Sequence, residues 1–92
     1  MIKYTFSIGA NNKTGILEKD KIEDVVGGFL DSFTMFEAIG YWKGQKEKSV
    51  VVEVILKEAK PDMVLGLCNQ LKNKLEQDAV LVQRQAIISN LI

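Results

Sequence analysis

The chain has 92 residues, 47% hydrophobic and 26% charged, the size and make-up of one globular domain over residues 1–92. Twelve Lys and Arg balance twelve Asp and Glu, so the basic surplus that neutralises nucleic-acid phosphates is missing and a nucleic-acid partner is not expected. Histidine is absent and Cys68 is the one cysteine, which removes the commonest general base, the commonest metal ligand and any internal disulfide.

The first element is IKYTFSI. Ile2, Tyr4, Phe6 and Ile8 alternate with Lys3, Thr5 and Ser7, the pattern of a half-buried strand. The leading MIKYTFSIG has no long apolar core and no small-residue cleavage site, so it does not read as a signal peptide. No apolar run reaches the roughly 20 residues of a membrane span. With a single cysteine, these features lead to an expected cytoplasmic location, the host cytoplasm if the chain is phage-encoded.

After the strand comes GANNKTG, a glycine-bounded loop containing Lys13 and Thr14. A Walker phosphate loop places Lys and Ser or Thr after its second glycine, and a helix starts there. In this chain both residues precede Gly15, and Ile16 and Leu17 intervene before any helical pattern. The loop therefore reads as a turn built on Asn11, Asn12 and Gly15. A generic anion contact through its backbone N–H groups stays open.

From Glu18 to Asp31, Ile22, Val25, Val26, Phe29 and Leu30 fall at helical spacing, with Glu18 and Asp20 favourable at the N-terminal end of the dipole. Gly27 and Gly28 imply either close approach to a sheet or a frayed last turn. Phe33 to Lys43 is aromatic and branched and reads as a strand, Gly44 to Lys48 as a turn, and Val50 to Lys57 as the returning strand of a hairpin. Pro61 suits a first helical position, and Val64, Leu67, Cys68, Leu71 and Leu75 repeat the helical stripe. Ala79 to Ile88 is the last expected strand. The order β-α-β-β-α-β implies a ferredoxin-like α+β sandwich, two helices on one face of a four-stranded antiparallel sheet.

The other face of that sheet is the first functional clue. Val50, Val52, Val54 and Leu56 are expected to point at the helices, leaving Val51, Glu53 and Ile55 outward with Lys3, Thr5 and Ser7. The second strand adds either Met35, Glu37, Ile39 and Tyr41 or Phe36, Ala38 and Trp42. Either set makes the face more apolar than a solvated one, which implies self-association through it.

Site chemistry is sparse. Glu37 and Glu53 on adjacent strands could share acid–base work, or Glu53 could pair with Lys3, Lys43 or Arg84. Tyr41-Trp42-Lys43 and Gln83-Arg84-Gln85 combine ring faces and cations, as a nucleotide site does. Cys68 sits on the buried stripe and reads as core. No catalytic set, metal cluster or cofactor motif is evident, so a binding protein is expected over an enzyme.

Short motifs also carry a resemblance. Phe33-Thr34, Gly40 with Trp42, Glu47 with Ser49, Gln77-Asp78-Ala79-Val80-Leu81 and an opening Phe6, Ile8, Gly9 are similar to those of a family of small bacterial and phage ferredoxin-like proteins that carries no agreed activity. That resemblance implies the fold and adds a functional expectation. The chain looks like the oligomeric phage anti-defence sponges that sequester nucleotide signals of host immunity. Asn11, Asn12, Lys13, Thr14, Tyr41, Trp42, Lys43 and Arg84 are then the expected ligand contacts. The alternatives are an inhibitor or adaptor docking on a host protein, and a small dimeric enzyme using Glu37, Glu53 or Tyr41 as acid or base.

Overall fold

The structure, a computed structural model, describes residues 1–11 and 13–92, the Trp42 side chain excepted. Six elements follow one another: β1 (Ile2–Gly9), α1 (Lys19–Gly27), β2 (Thr34–Trp42), β3 (Gln45–Leu56), α2 (Pro61–Leu75) and β4 (Leu81–Ala86). The sheet order is β2-β3-β1-β4 with every neighbouring pair antiparallel. Both helices lie against one face, which makes the molecule a ferredoxin-like α+β sandwich.

The alternation seen in the sequence sets the layers. Tyr4, Phe6 and Ile8 of β1 face Val54, Val52 and Val50 of β3 across the central pairing, and all six are buried. Ile22, Val26 and Leu30 from the first helical segment and Leu67, Leu71 and Leu75 from the second close over them. Tyr4 keeps its hydroxyl satisfied in this core by accepting from the backbone N–H of Lys60 at 3.1 Å. The two helices meet where Phe29 packs on Gly66: a Cβ there would lie 3.2 Å from the ring, so the glycine permits the approach.

Boundaries differ from the sequence expectation in three places, each for a physical reason. The first helix ends at Gly27 and not at Asp31; Gly28 caps it, and Phe29 and Leu30 donate to the Val26 carbonyl in a final tight turn. No atom lies within 4 Å of a Cβ built on Gly27, so the glycines end the helix and do not admit the sheet. The last strand is shorter than Ala79 to Ile88, running Leu81–Ala86 along β1.

The hairpin differs most. Its turn is two residues, Lys43 and Gly44, with φ of 50° and 77°, the doubly left-handed pair of a type I′ turn. Gln45 to Lys48, expected as loop, extends β3 and pairs with residues 39–42. This arm runs past the helical layer, so both its faces are wet and it shows no apolar alternation. The 12-residue β3 spans roughly 40 Å at about 3.3 Å per residue, in line with the longest molecular dimension of 40 Å.

The core placement yields a stability prediction. Leu71→Ala, at a fully buried position, should lower unfolding free energy by about 2–5 kcal/mol. Leu65→Ala, on the exposed side of the same helix, should change it by under about 0.5 kcal/mol. Urea unfolding of both variants checks the pair.

Candidate functional site

Where β1 ends, a cleft of about 810 Å³ opens. One wall is Gly9, Ala10, Asn11, Gly15 and Leu17; the others are Lys19 at the start of α1, Glu37 in β2, Lys46, Glu47 and Lys48 in the arm, and Gln77 behind α2. The volume suits a small-molecule site, and the lining is unusually polar for one. Three lysines stand against two carboxylates.

The loop behind β1 is rigidly self-bonded. Asn11 is only 6% exposed. Its Oδ1 accepts from the backbone N–H groups of Lys13 at 2.8 Å and Thr14 at 3.2 Å, and its Nδ2 donates to Glu18 Oε1 at 2.9 Å. The Asn11 carbonyl accepts from Gly15 N–H at 2.8 Å, and Gly15 itself has a φ of 71°. This is an Asx-type turn. The amides of Lys13 and Thr14 are turned inward to the Asn11 side chain, as in a turn, and do not point together at a shared anion position. Gln77 pins the wall from the other side, donating from Nε2 to the Gly9 carbonyl at 3.3 Å and to the Ala10 carbonyl.

Charge in the cleft is organised by one bridge. Lys19 Nζ lies 2.5 Å from Glu37 Oε1, tying the start of α1 to β2. The hydrogen bond from Lys19 holds the Glu37 carboxyl below its ordinary range, with Lys48 adding to the same field, and Glu37 in turn raises Lys19. At the loop tip Lys13 Nζ pairs with Glu76 Oε1 at 2.9 Å and lowers that carboxyl. Among the described residues Lys46 makes no ion pair, and no group of three or more acidic or cysteine side chains could hold a metal.

The expected contact residues divide. Asn11, Lys13 and Thr14 belong to the loop beside the cleft, though Asn11 is spent on the turn and Lys13 on Glu76. Tyr41 is 72% exposed on the arm, two residues beyond Ile39 on the face that carries Glu37. Lys43 forms the turn at the arm's tip. Arg84 stands on β4, the opposite edge of the sheet, roughly 14 Å from β2 at about 4.8 Å per strand. One protomer cannot bring Arg84 and Tyr41 to the same ligand. Asn12 and the Trp42 side chain lie outside the described residues.

Glu37 and Glu53 prove to be on opposite faces. Register places Glu37 beside Val50 on the helix side, whereas Glu53 lies on the open face and pairs with Lys3, Nζ to Oε2 at 2.6 Å. The same register settles β2: Phe36 and Ala38 face outward, while Met35 and Glu37 face the helices. Cys68 is half-buried, and that burial raises its thiol against a smaller opposing effect of Lys72, as suits a packing residue. Lys19, Lys46, Lys48 and Gln77 were missed as site residues. Lys46 and Lys48 had a detectable signal, because a turn at Lys43-Gly44 puts both on the Val50 face at a spacing of two.

Comparison with known proteins supports the architecture. No protein-family model matches the chain, and no curated protein matches its sequence. Among solved structures, a phage SAM lyase in the apo state aligns with a TM-score of 0.65 at 20% identity, covering 91% of this chain and 78% of that one. A DUF3240 family protein from Shewanella baltica gives 0.60 at 15% identity, covering 99% of this chain and 94% of that one. A mutant CutA1 from Pyrococcus horikoshii gives 0.59 at 15% identity, covering 99% of this chain and 87% of that one. At these identities the likeness is one of fold.

Two outcomes follow from the geometry. Asn11→Ala should cost about 1–3 kcal/mol, since it orphans two amides in a part-buried turn, and hydrogen exchange at Lys13 and Thr14 should accelerate selectively. Glu37 is lowered in the folded state, so its bridge contributes above the ordinary carboxylate pKa and is lost as pH falls through the lowered value. In an NMR titration, Lys19→Met should move the Glu37 midpoint upward and leave that of Glu76 in place.

Proposed function

We propose that this is a homo-oligomeric small-molecule-binding protein that holds a charged nucleoside-type ligand in the cleft between loop, α1 and arm. Sequestration of a nucleotide immune signal by a phage-type anti-defence protein is the specific form of that reading. The observation that carries it is the cleft itself: small-ligand volume, a pre-formed loop wall, and Lys46 and Lys48 presented beside it. A binding role also agrees with the absence of histidine and with Cys68 lying on α2, outside the cleft lining. Tyr41 and Ile39, exposed on the same side of the arm, offer a platform for a base next to those cations.

Self-association is part of the proposal. Phe36, Ile55 and Leu81 are 45%, 47% and 60% exposed on the open face, around the Lys3–Glu53 pair. Covering them would stabilise an oligomer, each fully buried side chain contributing about 1.5–3 kcal/mol before the costs of association.

A second reading is favoured by the solved structure called a phage SAM lyase. A sulfonium departs as a neutral thioether, so chemistry on S-adenosylmethionine does not require a general acid. A site combining a carboxylate for the sulfonium with cations for the ligand's carboxylate would serve, and Glu37 with Lys46 and Lys48, on one face of the arm, is such a combination. In this reading Glu37 or Tyr41 carries the acid–base role; Glu53, on the other face, does not.

Native mass spectrometry with S-adenosylmethionine, ADP-ribose and a cyclic dinucleotide tests both. One intact ligand per protomer, recovered unchanged, supports sequestration, and loss of S-adenosylmethionine over many turnovers supports the enzyme. A Lys46→Glu/Lys48→Glu variant should weaken binding about tenfold or more, equivalent to ~1.4 kcal/mol. Absence of any bound ligand overturns both.

A further inference from the structure

We infer that residues 87–92 form an intermolecular strand that adds to the outer edge of β2 in a second copy. This goes beyond the ligand reading and rests only on its self-association clause. Ile88, Leu91 and Ile92 are fully exposed, and the segment IISNLI carries no charged side chain. Its hydrogen bonds to its own body are at Ile87, whose N–H donates to the Met1 carbonyl at 2.9 Å and whose carbonyl accepts from the Met1 amine at 3.2 Å. Beyond Ile87 no described residue covers the side chains of Ile88, Leu91 and Ile92.

The outer edge of β2 is complementary. β2 is a terminal strand of the sheet, so the backbone groups along its outer side have no strand partner. It contains no proline, and its apolar side chains are exposed on both faces: Phe36 at 45% on one, Ile39 at 59% and Tyr41 at 72% on the other. An extended 87–92 segment is also apolar on both faces, Ile88 and Ile92 on one and Ile87 and Leu91 on the other. A strand apolar on both sides fits a place covered on both sides, and pairing along an open edge satisfies the backbone of both strands.

The contact cannot form within one chain. β4 and β2 are opposite edges with β1 and β3 between them, roughly 14 Å apart. Six residues span roughly 20 Å when extended, so crossing the sheet consumes the segment before it can run along β2. A second copy has no such limit. Because the arm and the tail are different surfaces, the contact is head-to-tail, reciprocal in a dimer or repeated around a larger ring. It lays the partner's tail beside Glu37 and Tyr41, so the partner copy completes a wall of the cleft.

The test is the native mass of the full chain without ligand. Wild type should be an oligomer. A tail variant, Ile88→Asp/Leu91→Asp, and an arm variant, Ile39→Asp/Tyr41→Asp, should each run at the mass of a single chain. Circular dichroism spectra should match wild type and each variant should still melt cooperatively, at a lower temperature than the associated wild type, since these positions are exposed in the single chain and association itself stabilises the fold. Mixing the two variants should restore a dimer, because one intact tail then meets one intact arm. A monomeric wild type, an oligomer that survives the tail substitutions, or no dimer on mixing would each overturn the inference. Since no ligand enters, failure here is distinct from failure of the binding proposal. An oligomer broken by Ile55→Asp but not by the tail variant would assign self-association to the open face alone.

Discussion

The central pairing of β1 with β3 is the constraint on which the rest depends. Phe6 opposite Val52, with Tyr4–Val54 and Ile8–Val50 to either side, puts six buried side chains of the two inner strands on the helix side. A one-residue slip of β3 would move Val50, Val52 and Val54 to the open face, leave the helical leucines without them and bury Glu53. Register along β3 then propagates to β2, because Val50 and Val52 dictate where Glu37 and Met35 must sit. The position of Glu37 in the cleft and of Glu53 outside it is thus a consequence of core packing alone.

The arm is the feature that converts this core into a site. Past Val50 there is no helix to pack against, so β3 and β2 continue as a two-stranded ribbon whose chemistry is released from hydrophobic alternation. That freedom lets Lys46 and Lys48 occupy the very face that carries Val50, Val52 and Val54 further down the strand. The opposing wall is stiff for a different reason. Asn11 fills its hydrogen-bonding capacity within its own loop and with Glu18, while Gln77 ties the end of β1 to the segment after α2. The two-stranded arm therefore faces a loop held by its own hydrogen bonds, and the exposed Lys19–Glu37 bridge ties the start of α1 to β2 between them. An exposed pair of that kind adds little to stability, so a ligand offering its own charges can exchange with it at low cost.

What was legible in the sequence follows the same division. Strands and helices that bury one face announce their period: Tyr4-Phe6-Ile8, Ile22-Val26-Leu30 and Leu67-Leu71-Leu75 read correctly, and with them the fold. The glycine loop also read correctly as a turn, since Lys13 and Thr14 stood on the wrong side of Gly15. The arm was illegible because a stretch wet on both faces looks like a loop, and Lys43 in a left-handed position is not the Asn or Asp that signals a type I′ turn. Most of the cleft was lost with it. Arg84 and Tyr41 stand on opposite edges of one sheet for a reason composition cannot carry: strand order, and not strand content, sets which residues share an edge.

A net charge of zero hides this arrangement as well. Lys3 with Glu53, Lys13 with Glu76, Lys19 with Glu37 and Lys21 with Glu18 pair off at distances of 2.5–2.9 Å, so much of the charge is locally cancelled. Lys46 makes no such bridge among the described residues, and it stands next to the carboxylates of the cleft. A chain of zero net charge with two cations, Lys46 and Lys48, unbridged among the described residues in a concave polar site has little long-range attraction for polyanions. Lys46, Lys48 and Glu37 share one face of the sheet there, and Glu47 turns to the other. The spacing of these charges along the arm, at about 3.3 Å per residue, is a ruler set by the β2–β3 register and ultimately by the core beneath it.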